Sequence, residues 1–214
     1  MLAIIGMLPN NPEDIMRIIG ITGGVGAGKS GVIEYLQKHY DAVIAKADDL
    51  GHAGIRRGEE CYASVVDLLG SDIIDEDGEL NRAKIATIVH QDKEQLTKLN
   101  EIIHPYVEVC IIQMIIKAIK SGKKYFFIEA ALLLEANYHQ LCDEIWYVYA
   151  DCRVRRDRLA SSRNYSAEKT LQIMDNQLSD YEFRFNSNFV IDNSGDFTAT
   201  TKQIDARMQK YEAL

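Results

Sequence analysis

The stretch GITGGVGAGKSG, residues 20–31, decides how this chain is read. It follows the apolar residues Ile18 and Ile19, and it sets Gly23, Gly24, Gly26 and Gly28 ahead of Lys29 and Ser30. Flexibility alone would not require a lysine and a hydroxyl at fixed positions. Residues 23–30 have the spacing G-x-x-x-x-G-K-S, the phosphate-binding loop pattern. Glycines let successive backbone N–H groups turn inward onto phosphate oxygens, and the following helix adds its positive N-terminal end. In such a loop Lys29 reaches the β- and γ-phosphates and the Ser30 hydroxyl ligates Mg²⁺. The pattern carries this meaning between a strand and a helix. Residues 16–22 read as a buried strand, and residues 30–40 as a helix with Val32, Ile33 and Leu36 on one side. The expected ATP-binding set is therefore Gly24, Val25, Gly26, Ala27, Gly28, Lys29, Ser30 and Gly31.

At 214 residues the chain suits one α/β domain with room for an inserted subdomain. Its 47% hydrophobic and 26% charged fractions are ordinary for a globular protein. A net charge of −8 argues against a general nucleic-acid or membrane-surface binder. Cys61, Cys110, Cys142 and Cys152 form no C-x-x-C pair and gather no histidines. That excludes a recognisable zinc site and suits a reducing, cytoplasmic setting. No apolar run approaches the ~20 residues that span a bilayer. Residues 1–15 start apolar but lack the basic n-region of a secretory signal, and Pro9-Asn10-Asn11-Pro12 breaks them from the first strand. They read as an appendage to a functional chain 16–214. A monomer or weak homo-oligomer is expected.

Further along, residues 42–45 (AVIA) form a short apolar run, and residues 52–103 read as mostly helical around the turn Asp75-Glu76-Asp77-Gly78. Pro105 suits the first turn of a helix running to about Lys120, with Val109, Ile112, Ile116 and Ile119 as its core stripe. YFFI (125–128) and IWYVY (145–149) read as parallel strands. Ser166 is positioned to cap a helix whose apolar face is Leu171, Met174, Leu178 and Tyr181. Residues 189–191 form a last strand before a terminal helix. Strands alternating with helices imply a parallel sheet covered on both faces.

A phosphate loop alone does not say what becomes of the γ-phosphate. A GTPase would pair D-x-x-G with N-K-x-D. The first pattern occurs at residues 48–51 and 67–70, but the second is absent. A small-molecule kinase needs an acid to orient the acceptor hydroxyl and mobile arginines for the transferring charge. Asp48, just past the second strand, and the five arginines of residues 153–163 are candidates.

From about residue 16 onward the chain resembles the dephospho-CoA kinase family. The pieces that carry the resemblance occur in the family's order: GITGGVGAGKS, ADDLGHAG, DEDGELNRAKIATIVHQD, LNEIIHPYV, ALLLE, RDRLASSR followed by the Gln177 helix, and VIDNSG. The resemblance implies an α/β, three-layer P-loop kinase with a parallel five-stranded sheet. It also implies a helical CoA-facing subdomain about 50–120 and a lid about 153–180. The implied reaction uses ATP and Mg²⁺ to phosphorylate the ribose 3′-hydroxyl of dephospho-CoA, giving coenzyme A and ADP. On the matching positions, Asp48 is the acid that acts on the 3′-hydroxyl, and Lys29 and Ser30 hold ATP and Mg²⁺. Arg158 and Arg163 are the lid arginines, with Arg158 also touching substrate. His104 lies on the substrate side, Asn193 lies near adenine, and Glu129 orders Mg²⁺ through water.

The chain also departs from the family pattern. Lys46 stands where an acid is usual, Gly31 where threonine is, and Ala131 where proline is, and residues 177–184 keep one arginine, Arg184. Blander readings stand beside the sharp ones. Asp48 could cap a helix, His104 could simply start one, Glu129 could make a structural ion pair, and Arg153 and Arg156 fit a solvated face. A kinase for another nucleotide or nucleoside, or a non-catalytic nucleotide binder, are the alternatives to the family reading.

Overall fold

The computed structural model describes residues 16–163 and 166–212. The expected appendage lies outside them. Five strands, β1 (Arg17–Thr22), β2 (Ala42–Lys46), β3 (Tyr125–Glu129), β4 (Glu144–Tyr149) and β5 (Phe189–Asp192), form one sheet in the order β2-β3-β1-β4-β5. β1 runs parallel to β3 and β4, with Ile21 opposite Glu129 on one side and Trp146 on the other, and β4 runs parallel to β5. The fold is the expected α/β parallel sheet.

The helices are α1 (Lys29–His39), α2 (Ala47–Gly54), α3 (Tyr62–Leu69), α4 (Arg82–Gln91), α5 (Lys93–Lys120), α6 (Cys152–Arg163), α7 (Ala167–Asp175), α8 (Asp180–Phe185) and α9 (Phe197–Glu212). Alternation along each strand sends side chains to two faces, both apolar. One face joins Ile19, Ile21, Phe127, Trp146 and Val148 to Val32, Ile33 and Leu36 of α1 and to Ile204 and Met208 of α9. On the other face the Tyr147 ring stacks on Phe183 of α8, with centroids 4.8 Å apart. Burial on both faces is why the strands read as unbroken apolar runs. The buried Glu144 of β4 accepts hydrogen bonds from Arg207 and Tyr211 of α9, so its charge is paired.

The chain divides into two compact units. Among the described residues, one comprises 16–44 and those from 118 onward; the other is Ala45–Lys117. The second has its own core of Val65, Ile73, Ile85 and Leu99, with Ile103 and Tyr106 packed against it. Its 75–78 turn is closed by Gly78 N–H donating to Asp75 O at 2.9 Å.

Several expectations need correction. First, α5 starts at Lys93, not at Pro105, and passes through the proline. The Asp92 carboxylate accepts from Glu94 N–H at 2.9 Å and Gln95 N–H at 3.1 Å, a cap that sets the start. α5 is also long and apolar enough, by length and composition, to cross a membrane, contrary to the reading that no run approaches that length. Second, its buried stripe is Val107, Ile111, Ile115 and Ala118, while Val109 is 52% exposed. We expect Ile115→Ala to cost about 2–5 kcal/mol in denaturant melts. Val109→Ala should stay within about 0.5 kcal/mol. Equal losses would contradict this stripe. Third, the helix after Ser166 ends at Asp175, and Tyr181 sits on the separate α8, where it is 74% exposed. Ser179 and Glu182 form a reciprocal capping box that starts α8 afresh.

Candidate active site

β1 ends at Thr22 and the chain turns through the loop into α1, as the pattern requires. Gly23 follows the strand so closely that a Cβ there would lie 2.4 Å from the Val148 carbonyl oxygen of β4. Gly28 occupies the N-cap of α1 at φ 89°, in the left-handed region. These two glycines let the chain make its turn into the helix, and the positive end of α1 lies at Lys29 and Ser30.

Lys29 Nζ donates to Gly23 O at 2.8 Å and stands 4.0 Å from Glu129 Oε1 at the end of β3. Parallel pairing of β1 with β3 brings the two together from positions 100 residues apart. Ser30 is exposed at the start of α1. Among the described residues no group of three His, Cys, Asp or Glu could hold a metal. A Mg²⁺ ion at a phosphate loop does not need one, because it keeps several waters and takes substrate phosphates beside one or two protein ligands. A hydroxyl at Ser30 and a carboxylate at Glu129 fit that chemistry.

α6 supplies the arginines. Asp151 starts it by accepting from Arg153 N–H at 2.8 Å, and Ser194 Oγ accepts from Asp151 N–H at 2.9 Å, tying α6 to the end of β5. Arg158 donates to Ala27 O at 3.3 Å and to Asn193 O at 2.9 Å. Arg153 and Arg156 are exposed, as expected. The side chain of Arg163 lies outside the described residues. Buried Asn193 donates through Nδ2 to Ala27 O at 2.7 Å and accepts from Thr200 Oγ1 at 2.8 Å. It braces the loop from behind, with both ends of its amide engaged.

Two residues of this cluster were not singled out from the sequence. Arg155 Nε donates to Val25 O at 2.8 Å, and Gln177 Oε1 accepts from Val25 N–H at 2.9 Å. The signal for Arg155 was its three-residue spacing from Arg158, which puts both on one side of α6. Gln177 entered the sequence reading only as the marker of the helix after RDRLASSR, with no role assigned to it.

The remaining expected residues belong to the Ala45–Lys117 unit. Asp48 is exposed in the first turn of α2, two residues after Lys46 at the N-cap, which is also exposed. An acid in a first turn favours the helix dipole, so the capping reading of Asp48 has a local physical basis too. His104 lies inside α5, and burial pushes its imidazole pKa below the usual value, favouring the neutral ring.

Comparison with known proteins bears directly on these elements. The family model described as dephospho-CoA kinase matches residues 17–199. A dephospho-CoA kinase of Aquifex aeolicus is 37% identical over 201 residues, covering 93% of this chain and 98% of the relative. One of Carboxydothermus hydrogenoformans is 35% identical over 198 residues, covering 92% and 96%. The solved structure of TT1252 from Thermus thermophilus shares the fold at a TM-score of 0.78 and 24% identity, covering 91% of this chain and 97% of that one.

Proposed function

The chain belongs to the dephospho-CoA kinase family, and on that premise we propose that it transfers the γ-phosphoryl group of ATP to the ribose 3′-hydroxyl of dephospho-CoA. The products are coenzyme A and ADP. The observation that carries this reading is the family match over residues 17–199. In the proposed step the 3′-oxygen forms a bond to the γ-phosphorus, the bond from that phosphorus to the β–γ bridging oxygen breaks, and Asp48 takes the hydroxyl proton. Phosphoryl transfer asks mainly for positioning and for charge stabilisation. Backbone N–H groups of Gly24 to Gly31 cradle the phosphates. Lys29 leaves the Gly23 carbonyl for the β- and γ-oxygens, and Arg158 and Arg163 meet the charge on the transferring group. Mg²⁺ held by Ser30, and through water by Glu129, would neutralise charge on the β- and γ-phosphates. The Ala45–Lys117 unit, with Asp48 and His104, serves the dephospho-CoA side. Asn193 acts on the nucleotide through the loop it braces. The free cysteines suit a reducing cytoplasm.

An ADP-release assay with ATP and Mg²⁺ tests the proposal. Dephospho-CoA should give turnover at least ~100-fold above adenosine, AMP or shikimate as acceptor. Comparable rates with acceptors lacking the pantetheine arm would point to a different kinase.

A further inference from the structure

The peptide of Val25, third residue of the phosphate loop, is gripped at both ends by side chains far along the chain. Its carbonyl accepts from Arg155 Nε at 2.8 Å, and its N–H donates to Gln177 Oε1 at 2.9 Å. The same Oε1 accepts from Arg155 Nη2 at 3.0 Å. Two donors converge on this one atom, which fixes the orientation of the amide: only the oxygen can face them. The Arg155 guanidinium also lies against Gly24, where a Cβ would come within 2.3 Å of Nη2.

A backbone N–H of such a loop and a guanidinium N–H pointing at the same spot are the two donor types that bind phosphate oxygens. Here a neutral carboxamide oxygen fills that spot. We infer that Gln177 is a positioning residue of the phosphate loop, holding Val25 N–H in place of a phosphate oxygen, and that a bound nucleoside triphosphate displaces its carboxamide and takes over the Val25 and Arg155 donors. The inference rests on the loop binding ATP, not on which acceptor receives the phosphoryl group. The exchange favours the nucleotide, because hydrogen bonds to an ionised acceptor are about twice as strong as neutral ones. Displacement also releases the segment between α7 and α8 from the loop, so nucleotide binding and the position of that segment are coupled.

The charge of the resident acceptor separates this role from a merely structural one. Gln177→Glu retains the hydrogen bonds and adds a negative charge where the phosphate oxygen must come. It should keep or raise the melting temperature without nucleotide while weakening ATP binding at least tenfold by calorimetry on the full chain. Gln177→Ala removes the competitor, so its melting temperature should fall while ATP affinity stays within about threefold or improves. A Gln177→Glu protein that melts normally and binds ATP as tightly as the unaltered chain overturns the inference and leaves the kinase reading standing. A Gln177→Ala protein with more than tenfold weaker ATP binding overturns it too. No ATP binding by the unaltered chain overturns both.

Discussion

Lys29→Ala is expected to lower kcat at saturating ATP and dephospho-CoA by about 100- to 1,000-fold and to leave the fold intact. The ammonium donates to Gly23 O at 2.8 Å and stands 4.0 Å from Glu129. The loop's course is also set by Gly23 against Val148, by Gly28 at the N-cap, and by Arg155, Gln177 and Asn193 on the peptides of Val25 and Ala27. The role proposed for the lysine is to supply a cation for charge developing on the transferring group, and removing one such contact typically costs ~3 kcal/mol of barrier. At about 1.4 kcal/mol per tenfold that is the stated loss. The melting temperature should move by no more than about 4 °C, the shift expected from 1 kcal/mol in a chain of this size. Steady-state kinetics beside a thermal melt checks both halves. A folded Lys29→Ala enzyme with near-normal turnover would sink the phosphate-loop mechanism.

Asp48→Asn should cost about 100- to 10,000-fold in kcat, the usual contribution of a positioned general base. KM for ATP should change little, since the residues proposed to hold the phosphates lie in the loop and in α6, outside the Ala45–Lys117 unit that carries Asp48. The helix dipole offers the competing account. If Asp48 served only the first turn of α2, the substitution would cost some tenths of a kcal/mol of stability and leave kcat intact. A kcat value and a denaturation midpoint therefore separate catalysis from capping in one preparation. Lys46 adds a second arm. Lys46→Asp restores the acidic residue usual in the family and should preserve or raise turnover with dephospho-CoA. Full kcat in Asp48→Asn would make the acid structural.

The contrast between these residues and Gln177 shows which features could be read from sequence. The loop was legible because its chemistry is local: the end of the strand at Thr22, the glycines that permit positive φ, the lysine and the hydroxyl fall within nine residues. The strands were legible for a related reason, since a sheet buried on both faces leaves continuous apolar runs. The stripe of α5 was not. Val109, Ile112, Ile116 and Ile119 keep helical spacing as well as Val107, Ile111 and Ile115 do, so periodicity alone cannot choose the buried face. The start of the same helix was missed because a proline is a strong local stop signal, and the Asp92 cap thirteen residues earlier was overlooked.

By itself, the sequence determined that residues 23–30 carry the phosphate-binding loop pattern, that a parallel α/β sheet carries that loop, and that the chain belongs to the dephospho-CoA kinase family. These follow from backbone preferences and side-chain chemistry over a few neighbouring residues, and from the order of such stretches. Only the tertiary structure decided which distant groups hold the loop. Arg155, Gln177 and Asn193 reach it from 130, 152 and 166 residues away along the chain. An arginine or an amide has no intrinsic partner. Its hydrogen bonds are settled when strand pairing and helix packing bring one particular donor and acceptor within about 3 Å, and no local pattern encodes that distance.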